Sequence, residues 1–164
     1  MRRTLMRIIL AGIVALVAVL VVVSRRYTGK AAVKLPAADC NADLWKHVYE
    51  PDRLRVIEAC TAVEGRVVSV HRAQDGDLHI GLDPDQKSVL NLVNVIHAQR
   101  NLILEAVCDH PTTSSEPRAA CAGFTSQIVA PKIGDRIRAT GSYVTDRENG
   151  WNEIHPTSKL EILR

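Results

Sequence analysis

Four polar residues stand where neighbouring strands could bring them together: His79, Glu105, Glu153 and His155. Glu153 and His155 are two apart in an alternating segment, so on a strand they project from one face. Imidazole and carboxylate are ligand types for a divalent metal, and a catalytic zinc needs only three protein ligands and an open position. His79, Glu105 and His155 are therefore candidate metal ligands, and a divalent metal is the one cofactor these residues point to. Glu153 is the candidate general base. The chemistry would be metal-assisted hydrolysis, for instance of a phosphodiester. Against this stands a structural reading, which carries more weight. Glu153 could pair with Arg136 or Arg138 across strands, His155 could hold the backbone before Pro156, and His79 and Glu105 could sit at the surface. The chain has no HExxH, no phosphate loop and no Ser nucleophile elbow. His47, His71, His97 and His110 are scattered and read as surface residues.

Strands must position the four. Asp43 can cap a short helix through about Tyr49, turning Leu44, Trp45 and Val48 to a core before Pro51 stops it. Thr61 to Arg72 reads as a Val-rich strand, and Gln74-Asp75-Gly76-Asp77 as a hairpin turn. Leu78 to Leu82 alternates with period two, with His79 outward. The stretch from Asp83 to Arg100 is ambiguous: Pro84 can open a short helix through about Leu90, and Leu92 to Ile96 is apolar without a clear period. Leu102 to Cys108 reads as a third strand, apolar except for Glu105. Arg136 to Thr145 reads as a fourth, with Ile137, Ala139, Gly141 and Tyr143 on one face and Gly141 marking a bend. Trp151 to His155 follows the turn Asp146–Gly150 as a fifth. Five short strands, a long insertion after the third and a closing hairpin predict a mainly β fold, a small OB-like Greek-key barrel with one short N-terminal helix.

Several pieces strengthen that reading: Asp75-Gly-Asp-Leu-His79, Leu104-Glu105, Pro131-x-x-Gly134-Asp135, Thr140-Gly141-x-Tyr143-Val144-x-Asp146 and Gly150-Trp-Asn-Glu-Ile-His-Pro156. Together they resemble a group of small exported bacterial proteins with an OB-like fold, from about Asp39 to Pro156. The resemblance implies a fold and an address outside the cytoplasm, not a reaction. Members of that group often carry a His in the turn before the Trp, where this chain has Asn149.

The address is also written at the start of the chain. Arg2, Arg3 and Arg7 precede an unbroken apolar run from Ile8 to Val23, which includes Leu10, Val14, Leu16 and Leu20 and ends at Ser24-Arg25-Arg26. As a helix this run rises roughly 24 Å, and flanking residues can extend it toward the roughly 30 Å of a hydrocarbon core. Residues 1–26 are read as a single transmembrane anchor, or else as a cleaved secretory signal ending near Ser24. Residues 27–38 form a linker and 39–164 the extracytoplasmic domain. The formal net charge is +3, yet residues 1–30 carry six basic residues and no acid, which leaves the rest at −3. An acidic domain with few aromatic residues lacks the basic groove that single-stranded nucleic acid requires.

Cys40, Cys60, Cys108 and Cys121 all follow the apolar run and form no CxxC pair. Disulfides are expected of an exported domain, and the short loops favour Cys40–Cys60 and Cys108–Cys121 among the three possible pairings. The expectation is a membrane-anchored binding or interaction module outside the cytoplasm of a bacterium, with an envelope protein as its partner. A metal-dependent hydrolase and a single-stranded nucleic-acid binder are the alternatives.

Overall fold

The computed structural model describes residues 40–112 and 114–164. The predicted membrane segment 1–26, with Ile8, Leu10, Val14, Leu16, Leu20 and Val23, lies outside the described residues, as does the linker. Among the described residues no helix is long and apolar enough to cross a membrane.

Five strands make the fold: β1 (Leu54–Arg72), β2 (Leu78–Pro84), β3 (Leu102–Ala106), β4 (Arg136–Asp146) and β5 (Asn152–Ile162). They form a mixed sheet that closes in the order β1-β2-β3-β5-β4, with β4 returning to β1. All neighbours are antiparallel except β3 and β5, which meet in parallel only at Ile103–Glu153 and Leu104–Ile154. Strand β1 is 19 residues long and has two partners. Its first half pairs with β4, its second half with β2, and Gly65 and Arg66 pair with both. A Cβ on Gly65 would collide with the backbone of Asp83, so the change of partner needs glycine there.

Two strands outrun their sequence-based limits. The predicted first strand begins at Thr61, but β1 begins at Leu54, because its first part, which lacks a clear alternation, pairs with β4 across register shifts near Glu58. The predicted fifth strand stops at His155, but β5 continues through Pro156 to Ile162. Pro156, which follows a cis peptide bond, falls in a register shift of the β4–β5 ladder, where its missing N–H costs no hydrogen bond. The N-terminal helix is a 3₁₀ helix, Ala42–His47, and its cap is Asn41 rather than Asp43: the Asn41 side chain accepts from the Asp43 N–H. The ambiguous apolar run is helix α1 (Leu92–His97), closed by a capping box between Asn91 and Asn94. A second short helix, α2 (Ser115–Ala120), lies within the insertion before β4.

Two apolar clusters follow from this wrapping. Inside the barrel lie Val63, Val67, Leu78, Ile80, Leu82, Leu102, Leu104, Ile137, Ala139 and Ile154. Outside the wall, Leu44, Val48 and Leu54 pack with Val107, Cys108 and Val144, and Trp45 and Phe124 lean on them. Covering β4 on its outer face explains why Thr140, Ser142 and Val144 are buried as well as the predicted face. The expected disulfides, Cys40–Cys60 and Cys108–Cys121, are both present.

Candidate functional site

Glu105, Glu153 and His155 meet on the outer wall of the barrel. Alternation puts them there: Leu104 and Ala106 on β3 and Ile154 on β5 point into the core, so their neighbours point the other way. The parallel pairing of β3 with β5 then sets Glu105 beside Glu153 and His155. The three are not at the surface. His155 and Glu153 are 0% exposed and Glu105 is 2% exposed.

His155 Nδ1 lies 3.1 Å from Glu153 Oε1 and 2.9 Å from Glu105 Oε2. With a carboxylate oxygen on each side, Nδ1 carries a proton. The contact to Glu153 has hydrogen-bond geometry, while the contact to Glu105 is an attraction of charges without that alignment. The Trp151 indole donates to the other oxygen of Glu153 at 2.9 Å. Arg53 closes the cluster from the 3₁₀ turn Pro51–Arg53, donating to Asp146 at 2.9 Å and reaching within 3.8 Å of Glu105. Glu153 does not pair with Arg136 or Arg138, the expected cross-strand partners. Those arginines bind Asp85 and Glu64 instead, because they project from β4 at the other end of the barrel.

His79 stands opposite Glu105 in the β2–β3 ladder, and its Nε2 lies 3.6 Å from Glu105 Oε2. It is outward, as expected, and its side chain is 32% exposed. Two residues read as turn positions also belong to this region. Asp77 is buried and accepts the Cys108 backbone N–H at 2.7 Å. Asp146 is 0% exposed and accepts from Arg53, from the Asn149 side chain and from the Glu148 and Asn149 backbone. Both look in the sequence like ordinary turn aspartates. Their only local signal is an Asp bordering a strand, which Asx turns share. Asp77, Glu105 and His155 can bring one ligand atom each within 4.8 Å of one another; His79 is not part of that group.

The charges shift one another strongly. Burial alone would push His155 toward the neutral form, but the two glutamates outweigh it and lift its pKa to about 10. Burial would likewise raise Glu105, but His155, His79 and Arg53 hold it at about 2. Glu153 is raised by burial and by repulsion from Glu105. Asp77 is raised to about 7 by burial, despite the Cys108 N–H. Glu105 and His155 therefore form a charged pair at neutral pH. Glu153 is no free general base: both its oxygens are engaged, by Trp151 and by His155.

Among the other histidines, His71 and His97 are exposed, as expected. His47 is half-buried, because its ring stacks on Phe124 at 4.1 Å and bonds to the Ala120 carbonyl. His110 is also half-buried, beside Asp109.

Away from the cluster, a groove of about 460 Å³ runs between β5 and the segment 124–133. Leu44, Phe124, Val129, Pro131, Lys159 and Ile162 are among its lining residues. Val129, Ile133 and Ile162 are exposed apolar residues at or near it. Beyond Ile154, β5 pairs with β4 alone, so among the described residues its other edge has no strand partner.

Compared with known proteins, the sequence matches no family model and no curated protein.

Proposed function

We propose that this chain is a membrane-tethered, extracytoplasmic module with an OB-like barrel, which binds a protein of the bacterial envelope and has no catalytic site of its own. One observation carries the non-catalytic part: His155 and Glu153 expose nothing, and Glu105 exposes 2%. A substrate cannot touch atoms with no surface, and a general base must come within hydrogen-bond reach of its proton. The same burial gives the residues another role, as a charged brace between β3 and β5.

Support for the tether comes from the apolar run Ile8–Val23 and its arginine flanks. Two disulfides fit an oxidising compartment. The groove beside the open edge of β5 supports a polypeptide as the ligand. A strand edge offers unpaired backbone groups to an extended chain, and apolar pockets beside it take alternate side chains.

Two measurements test the proposal. The full-length chain in detergent, assayed on phosphodiester, phosphomonoester and carboxyl ester substrates with divalent metals, should show no turnover above buffer. Turnover lost on Glu105→Gln would overturn it. Selection from a displayed library of random peptides should enrich extended sequences whose binding is lost in Val129→Asp and Ile162→Asp but kept in Arg100→Glu. Enriched peptides indifferent to the groove substitutions would rule out this surface.

A further inference from the structure

The buried cluster holds more carboxyl groups than cationic side chains. Asp77, Glu105, Asp146 and Glu153 are all buried carboxyl groups. Arg53 and His155 are the cationic side chains placed among them, and Arg53 is committed to Asp146 at 2.9 Å. Polar atoms are also left over. Among the described residues, Glu105 Oε2 and His155 Nε2 are both buried without a hydrogen-bond partner, as is His79 Nε2. Buried polar atoms are nearly always satisfied, so three orphans around one carboxylate call for a reason.

We propose that Asp77, Glu105 and His155 hold a divalent transition-metal ion that ties the β1–β2 turn, β3 and β5 together. Their ligand atoms already lie within 4.8 Å of one another, the spread that a shared ion with ligands at about 2.0–2.4 Å spans. Tautomer geometry agrees. Nδ1 faces Glu153 and Glu105, so a metal bound at Nε2 would displace the second imidazolium proton there, and a carboxylate on the far nitrogen is the usual support of a ligating histidine. Asp77 is held in turn, through Oδ1, by the Cys108 N–H. His79 stands beside this group, its Nε2 3.6 Å from Glu105 Oε2. Its partial exposure, with that of Arg53, marks the way in. One imidazole with carboxylates favours zinc or manganese over calcium or magnesium. The other grouping of potential ligands, Asp77 with Cys108 and Cys121, is closed to metal because both sulfurs are in a disulfide. The role is structural, so it stands whether or not the binding module is correct.

The test uses the full-length chain in detergent, without a histidine tag. It is unfolded with its disulfides intact, refolded with excess zinc or manganese chloride, and dialysed. Elemental analysis should find about one ion per chain, and the ion should raise the thermal midpoint by about 5 °C or more. Asp77→Asn and Glu105→Gln, which keep side-chain volume, should each lose the ion, while His97→Ala on the surface should keep it. A refolded wild-type chain without metal, or either conservative variant binding as much as the wild type, would overturn the proposal.

Discussion

At the scale of single residues, the chain puts charge where most barrels put only apolar side chains or solvent. The pairing of His155 with Glu105 and Glu153 is a buried ion pair, and such pairs cost much when one partner is removed. Glu105→Ala should destabilise the domain by about 3 kcal/mol, read by chemical denaturation, since it leaves the imidazolium with Glu153 alone. A loss under about 0.5 kcal/mol would show that the pair is solvated in solution.

The same cluster sets a pH dependence, measured with chelator present. His155 holds its proton up to about 10 against an ordinary 6.5, so its contribution is complete below 6.5 and fades as pH rises toward 10. Glu105 titrates at about 2 against 4.5, so its contribution is present above 4.5 and fades as pH falls toward 2. Asp77 works the other way: its ionisation, raised from 3.8 to about 7, is resisted by the fold, so stability is withdrawn as pH rises through that window. Thermal midpoints should therefore peak near about pH 5. Asp77→Asn should flatten the descent between 4 and 7, and an unchanged profile would show that another group governs it.

At the scale of elements, the close passage of β4 and β5 decides the geometry of the site. Gly141 has no room for a side chain, since a Cβ would press on the Pro156 carbonyl and the Thr157 backbone. Gly141→Ala should cost about 1–3 kcal/mol by forcing the strands apart next to His155. Stability equal to the wild type would show that β5 yields freely. The alternation that sets Glu153 and His155 on one face is legible in Trp-Asn-Glu-Ile-His, and the mid-strand glycine marks the irregularity at Gly141, where the β4–β5 register shifts. The end of β5 is not legible, because a proline after His155 reads locally as a stop, and only a register shift against β4 makes it harmless. Nor is the first part of β1, whose Leu54–Ala59 segment lacks a clear period and is held by its partner strand.

At the scale of the whole molecule, the insertion between β3 and β4 depends on its covalent link. Its helix α2 is only six residues long, too short to persist alone, and the Cys108–Cys121 bridge closes a loop of 13 residues around it. Replacing both cysteines by Ser should cost roughly 3 kcal/mol in denaturant unfolding and speed tryptic cleavage at Arg118. Peptide mapping of the unreduced chain should join Cys108 to Cys121 and Cys40 to Cys60. Free thiols in protein from the native host would undo the argument for an oxidising compartment.

The sequence by itself determined the β class, the five strands, the outward direction of His79 and the shared face of Glu153 and His155, and it favoured the disulfide pairing that is found. Those properties rest on local alternation and on loop lengths, which neighbours along the chain encode. Only the tertiary structure decided that Glu105, Glu153 and His155 are buried rather than facing water, that Arg53, Asp77 and Asp146 join them, and that His79 stays at the margin. Burial is a property of what arrives from elsewhere: the turn at Arg53, the β1–β2 turn at Asp77 and the end of β4 cover a wall that its own sequence describes only as polar.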